Sequence, residues 1–219
     1  MVCALSLLAL AGCGGGEEEE GILVATLGDS ITAGSPEYDP DPRQRELLGF
    51  GANEHSQWQY WAKRRDPRLR FRNCGVYGER TDEIARRLDA CAEGAQVLVV
   101  QGGINDIAQG RPVEAAAENL RRMVARGREL RLSVTLANVL PWNNGYPTAD
   151  VEIRHLNSLI AVIGREEGVP TLPFYETLED EARPGRMREE WTSDGDHPSV
   201  EGYRRLGALA FRLPERSLR

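Results

Sequence analysis

Five short apolar runs, separated by stretches with helical spacing of apolar residues, constrain the fold of this chain more than any other feature. The runs cover residues 22–27, 69–73, 97–101, 132–139 and 169–173, and the helical stretches cover 57–65, 82–88, 112–130, 150–167 and 200–213. Strands that alternate with helices form parallel sheets, and such strands read as continuous apolar runs because both of their faces are buried. We therefore expect an α/β fold with a five-stranded parallel sheet covered by helices on both faces.

Length and charge limit the number of domains and the kinds of partner. With 219 residues, no internal repeat and no shift in composition, the chain is predicted to form one domain with a large core. Its net charge of −7 and its scattered Lys and Arg residues leave no basic stripe, so nucleic acid is not an expected partner. The three histidines lack the spacing of metal ligands and no nucleotide-binding fingerprint occurs, so neither a metal nor a cofactor is expected.

Polar segments follow three of the predicted strands. They cover residues 28–32, 77–81 and 102–106. Ligands of parallel sheets bind beyond the carboxyl ends of the strands, so we expect these segments to gather around one crevice. Two longer loops, 38–50 and 141–147, are predicted to form substrate walls there, and Trp142 and Tyr146 would stack on a sugar ring or line an acyl groove.

Ser30 is the candidate nucleophile because it lies on the predicted turn that leaves the first strand. A serine needs a base within hydrogen-bond reach, and the chain offers His197 with Asp194 three positions before it. The nucleophile elbow of α/β-hydrolases is excluded, because that motif needs a glycine two residues after the serine and Thr32 stands there.

Four segments of the sequence resemble, in order, the four blocks of the SGNH (GDSL-type) hydrolases: Gly-Asp-Ser-Ile-Thr at 28–32, Gly78, Gly-Ile-Asn-Asp at 103–106, and Asp194 with His197. The resemblance implies a flavodoxin-like, three-layer α/β/α sandwich. It also implies that Ser30 is the nucleophile, that His197 is the general base, and that Asp194 orients the imidazole.

The same resemblance assigns the oxyanion hole to the backbone N–H groups of Ser30 and Gly78 and to the side-chain amide of Asn105. Taken singly, these residues have plainer interpretations: a helix N-cap at Asp29 and Ser30, a loop glycine, and a turn at Asn105. Asp29 and Asp106 are expected to organise loops, and Asp196 is expected to face solvent. His55 and His155 are expected to be structural.

The first residues are predicted to be a targeting signal rather than part of the fold. Residues 2–11 form an apolar run that is too short to span a bilayer, and Leu-Ala-Gly-Cys at 10–13 resembles a bacterial lipobox. This predicts a signal peptide at 1–12, lipidation of Cys13, a flexible tether at 13–20 and a hydrolase domain at 21–219. The alternative is an ordinary cleaved signal and a secreted protein, since no Lys or Arg precedes Arg43.

Export changes how the remaining cysteines are interpreted. Cys74 and Cys91 would mature in an oxidising compartment, where an even pair tends to form a disulfide. Two buried free thiols are the alternative.

The expected activity is that of an exported serine carboxylic-ester hydrolase, similar to the lysophospholipase and thioesterase branch of the SGNH family. An O-deacetylase or O-acyltransferase acting on glycans is the second hypothesis, and a lipid-anchored binding protein that has lost catalysis is the third. We expect a monomer whose partners are an ester substrate and, through Cys13, the membrane of the cell envelope.

Overall fold

The computed structural model describes residues 21–214, in which a five-stranded parallel sheet carries helices on both faces. The strand order is β2-β1-β3-β4-β5, which is the flavodoxin-like order, and it confirms the fold class predicted from the sequence. The strands are β1 (Ile22–Gly28), β2 (Leu69–Gly75), β3 (Val97–Val100), β4 (Ser133–Ala137) and β5 (Thr171–Leu172).

Ten α-helices connect and cover the strands in the described part of the chain. They are α1 (Ser30–Ala33), α2 (Pro42–Leu48), α3 (Trp58–Arg65), α4 (Thr81–Ala85), α5 (Leu88–Ala92), α6 (Ile104–Ala108), α7 (Val113–Glu129), α8 (Thr148–Glu167), α9 (Phe174–Leu178) and α10 (Val200–Arg205). A π-helical turn at Leu206–Ala210 continues α10, and short 3-10 turns lie at Glu54–Ser56 and Glu189–Trp191.

Two apolar layers lie on opposite faces of the sheet. On one face, Leu98 and Leu136 belong to a cluster with buried residues of α7 and α8. On the other face, Trp58 of α3 and Tyr203 of α10 are fully buried in a second cluster. Full burial of each such side chain contributes about 1.5–3 kcal/mol, so the two layers hold the strand ends, and the loops that follow them, in fixed positions.

The structure corrects three of the predicted elements. The predicted loop at 38–50 contains α2, which Asp41 caps by accepting from the N–H of Arg43 and which ends at Gly49 in a left-handed conformation. No residue of α2 is buried, so the helix lacks the apolar periodicity that would have indicated it. The predicted helix at 82–88 is divided between α4 and α5, and the one at 200–213 ends in the π-helical turn.

The segment after β2 is fastened by a disulfide and by one arginine. The disulfide joins Cys74 of β2 to Cys91 of α5, as predicted, with their Cα atoms 6.1 Å apart. The guanidinium of Arg87 donates to the carbonyl oxygens of Cys74 and Gly28 and forms an ion pair with Glu79. The ends of β1 and β2 are thereby held together beside the loop that follows β2.

The predicted signal peptide at 1–12, the lipidation site Cys13 and the tether at 13–20 lie outside the described residues, as do residues 215–219. Within 21–214, no helix has both the length and the apolar character needed to cross a membrane.

Candidate active site

Ser30 begins α1 directly after the turn that leaves β1. Asp29 caps this helix, because its carboxylate accepts from the N–H of Ile31 at 2.9 Å. Gly28 leaves no room for a side chain, since a Cβ there would collide with Thr32 and Gln101. The N-cap interpretation is therefore correct for Asp29, while Ser30 remains available for another partner.

That partner is His197. Ser30 Oγ lies 3.1 Å from Nε2 of His197, and Nδ1 of the same ring lies 2.8 Å from Oδ2 of Asp194. With the proton on Nδ1, the imidazole donates to Asp194 and turns the lone pair of Nε2 toward the serine hydroxyl. The structure thus brings together the three residues that the sequence predicts to be catalytic.

The loop that carries Asp194 and His197 is held by its own hydrogen bonds. The backbone N–H of His197 donates to Oδ1 of Asp194 at 2.7 Å, and Thr192 Oγ1 donates to the carbonyl of His197 at 2.8 Å. Burial raises the pKa of Asp194, but the hydrogen bonds from His197 and from the N–H of Asp196 outweigh it and hold that pKa below its ordinary value. Asp194 is therefore ionised at neutral pH, as the partner of an imidazolium must be.

The three predicted oxyanion donors come from the three segments that follow β1, β2 and β3. In the described residues, the N–H groups of Ser30 and Gly78 donate to no other protein group. Gly78 has φ +78°, a conformation that favours glycine. Asn105 lies in α6, and its Nδ2 donates one hydrogen bond to the carbonyl of Glu79 at 2.9 Å, which leaves its second hydrogen for another acceptor.

Two buried carboxylates join these loops from behind. Asp29 accepts from Nε2 of Gln101 at 3.1 Å, and Gln101 Oε1 accepts from the hydroxyl of Thr32 at 2.8 Å. Asp106 accepts from both the N–H and the hydroxyl of Thr81, each at 2.9 Å. Both aspartates organise loops, as the sequence predicts, and Gln101, which the sequence analysis did not single out, bridges Thr32 and Asp29.

Burial changes the acidity of these two groups. It raises the pKa of Asp29 to about 6, against the opposing effect of the hydrogen bonds from Ile31 and Gln101. Burial also raises the pKa of Asp106 above its ordinary value. A carboxylate behind the nucleophile is thus protonated more readily than one in water.

The predicted substrate walls have different surroundings. Trp142 lies beside the catalytic loop, because its indole N–H donates to the carboxylate of Asp196, which also accepts from Asn144. Asp196 is exposed, as expected, but its carboxylate is held by these two hydrogen bonds. The ring of Tyr146 lies under the guanidinium of Arg186, 4.3 Å from the ring centroid, so that face of the ring is covered by the protein itself.

Tyr77 is an aromatic residue of the site that the sequence analysis did not single out. Its ring lies stacked on the imidazole of His197, with centroids 6.0 Å apart and planes at 28°. Phe50 meets the same ring edge to face at 5.1 Å, and Tyr77 is still 45% exposed. The available signal was its position directly before Gly78.

The two remaining histidines do not contribute to this site. His55 Nε2 lies 3.0 Å from the hydroxyl of Tyr60, and His155 Nε2 lies 3.8 Å from a carboxylate oxygen of Glu114.

Comparison with known proteins decides the family. The model of the GDSL-like lipase/acylhydrolase family matches residues 26–205, a span that includes Ser30, Gly78, Asn105, Asp194 and His197. The chain belongs to the GDSL-like lipase/acylhydrolase family. Its description names lipases and acylhydrolases. A comparison with curated proteins gives no significant match.

Solved structures of GDSL proteins share the fold. One is a protein from Desulfitobacterium hafniense assigned to the lipolytic G-D-S-L family, with 21% sequence identity and a TM-score of 0.71. The match covers 85% of this chain and 96% of the D. hafniense chain. The lipase/acylhydrolase from Enterococcus faecalis is 25% identical over 86% of this chain and 92% of its own, with a TM-score of 0.66. An acetyl xylan esterase from Geobacillus stearothermophilus is 16% identical, and the match covers 86% of this chain and 93% of the esterase chain, with a TM-score of 0.64.

Proposed function

We propose that this GDSL family member is a serine carboxylic-ester hydrolase that works through an acyl-enzyme intermediate. The observation that supports this most strongly is the line of hydrogen bonds from Ser30 Oγ through His197 to Asp194, at 3.1 and 2.8 Å. In this mechanism Nε2 of His197 takes the serine proton while Oγ attacks the ester carbonyl. The same proton then goes to the departing alcohol, and the acyl group stays on Ser30.

Hydrolysis of the acyl-enzyme repeats these steps with water as the nucleophile. His197 takes a proton from water, the hydroxide adds to the acyl carbon, and the proton returns to Ser30 as the carboxylic acid leaves. In both halves the negative oxygen is stabilised by the N–H groups of Ser30 and Gly78 and by the amide of Asn105. Neutral donors of this kind are already oriented before the charge develops.

A fluorophosphonate probe tests this proposal, because it reacts only with an activated serine. We expect stoichiometric labelling of the wild-type chain at Ser30, and neither labelling nor ester turnover in the Ser30→Ala variant. Ser158→Ala, in which a serine hydroxyl on α8 is removed, is the matched control and should behave like the wild type. Full ester turnover by Ser30→Ala would contradict the proposal. A wild-type chain that takes no label would favour the binding-protein hypothesis.

Two substrate classes follow from the proposed chemistry. Lysophospholipase- or thioesterase-like turnover is the first, supported by the lipase/acylhydrolase from Enterococcus faecalis at 25% identity. Removal or transfer of acyl groups on glycans is the second, and the half-exposed ring of Tyr77 favours it, since sugar rings stack on such surfaces. Fatty acid released from a lysophospholipid, compared with acetate released from an acetylated glycan at equal enzyme concentration, separates the two classes.

We propose in addition that the protein is exported and anchored at the cell envelope through lipidated Cys13. The lipobox-like sequence supports this, and so does the Cys74–Cys91 disulfide, because disulfides persist in oxidising compartments. Metabolic labelling with a radioactive fatty acid in a bacterial host should mark the wild-type chain and not Cys13→Ser. A wild-type chain that stays unlabelled and appears in the medium is instead secreted.

A further inference from the structure

Tyr77 occupies a position beside the reaction centre that the mechanism does not use. Its ring lies beside the His197 imidazole, with centroids 6.0 Å apart, and the next residue, Gly78, is a proposed oxyanion donor. Phe50 supports the ring from its edge, and the disulfide and Arg87 fasten the strand from which the segment emerges. Nearly half of this large aromatic side chain nevertheless remains exposed.

The chemistry of the proposed function decides which part of a substrate passes Tyr77. In acylation, His197 gives its proton to the oxygen of the departing alcohol, so that oxygen must lie next to Nε2. The group attached to this oxygen extends past the imidazole, whereas the carbonyl oxygen points toward Gly78 and Asn105. The ring beside the imidazole is therefore within reach of the alcohol portion of the ester.

We infer that Tyr77 is the residue that selects the alcohol portion of the substrate, and that it favours an alcohol with a flat apolar face. An aromatic ring and the apolar face of a sugar ring share this chemistry. Aromatic side chains bind such faces by offset stacking, and a ring held by Phe50 and His197 loses little conformational freedom on binding. This inference rests on the proposed function and names the alcohol class for it.

Three acetate esters test the inference, because they share the acyl group and differ only in the alcohol. Benzyl acetate offers an aromatic ring, a methyl glucoside acetylated at its primary hydroxyl offers a sugar ring, and ethyl acetate offers neither. For Tyr77→Ala we expect the ratio of kcat/KM on at least one of the two ring esters to kcat/KM on ethyl acetate to fall about tenfold. The ring ester that shows the loss identifies whether Tyr77 favours an aromatic alcohol or a sugar.

Two control variants separate recognition from a structural effect. Tyr77→Phe keeps the ring and should retain wild-type kcat/KM on all three esters. Tyr60→Ala removes a tyrosine of α3 whose ring contacts His55 and Trp61, and it should leave all three values unchanged.

The failure of this inference is distinguishable from the failure of the proposed function. An equal loss on all three esters, or no loss on any, in a Tyr77→Ala variant that is still labelled by the fluorophosphonate overturns the role of Tyr77 and leaves the ester hydrolase standing. A wild-type chain that takes no label and cleaves none of the esters overturns the proposed function, and this inference with it.

Discussion

At the scale of single residues, Asp29 places a fully buried carboxylate directly behind the nucleophile. Burial raises its pKa from 3.8 to about 6, so between these values the folded chain holds a proton that the unfolded chain releases. The contribution of Asp29 to stability is therefore full at low pH and is lost as the pH rises through about 6.

Asp29→Asn removes this titration, which gives a signed prediction. Relative to the variant, the free energy of unfolding of the wild type should fall by roughly 2 kcal/mol between pH 4 and pH 7, as the buried carboxyl loses its proton. Urea unfolding of both proteins at the two pH values measures the change. If the difference in free energy of unfolding between the wild type and Asp29→Asn is the same at both pH values, or changes in the opposite direction, the raised pKa of Asp29 is contradicted.

Asn105 tests the oxyanion hole, because its amide donates without titrating. Asn105→Ala should lower kcat by two to three orders of magnitude, since one such donor contributes about 2.7–4 kcal/mol to the transition state. Asn105→Asp keeps the shape but removes the donor and adds a negative charge, so its loss should be at least as large. Steady-state kinetics on one activated ester measures both variants, and an unchanged kcat removes Asn105 from the mechanism.

Gln101 tests whether the polar groups behind Ser30 position it. Its amide bridges Thr32 and Asp29, so Gln101→Leu leaves a buried carboxylate and a hydroxyl without their partner. We expect kcat to fall at least tenfold while KM changes less than threefold, and the rate of fluorophosphonate labelling to fall in parallel with kcat. Equal labelling rates in variant and wild type contradict a positioning role.

Some of these residues were accessible to sequence analysis and others were not. Asp194 and His197 are three positions apart and Ser30 follows an apolar run, which made them candidates, and the resemblance to the SGNH hydrolases implied their roles. The contacts of Tyr77 and Gln101 join residues that are far apart in the chain. They depend on which strand lies beside which, and no local pattern contains that information.

At the scale of the structural elements, the Cys74–Cys91 disulfide ties β2 to α5. Replacing both cysteines with serine should lower the free energy of unfolding by about 3 kcal/mol, because a cross-link between residues 17 positions apart restricts the unfolded chain. Urea unfolding with and without a reductant measures this. The reductant should lower the free energy of unfolding of the wild type toward that of the double variant and leave the value of the double variant unchanged. An unchanged value for the wild type in the presence of the reductant contradicts the prediction.

The sequence located all five strands, and the errors have physical causes. The apolar run at 169–173 yields only Thr171–Leu172 as β5, because Pro170 and Pro173 on either side have no N–H to donate to the sheet. Helix α2 was missed because it exposes both of its leucines, so only its capping signals, Asp41 with Pro42 and Gly49, were there to indicate it.

At the scale of the whole molecule, the proposed anchor and the chemistry are independent parts. If Cys13 carries the lipid, Cys13→Ser should move the protein from the membrane fraction to the soluble fraction. Its kcat/KM on a soluble ester should stay within twofold of the wild type, because no described contact of the site involves residues before 21. Fractionation followed by an esterase assay measures both, and a large loss of activity in the soluble variant contradicts this independence.

Strand β1 also separates the predicted attachment point from the nucleophile. Its first residue, Ile22, adjoins the predicted tether, and its last, Gly28, leads into the turn with Ser30. Seven residues of strand separate these ends by about 20 Å. In a chain held to a bilayer by Cys13, the nucleophile would therefore lie at the end of β1 opposite the attachment of the predicted tether. The flexibility of that tether, and not the strand, would then set which esters reach Ser30.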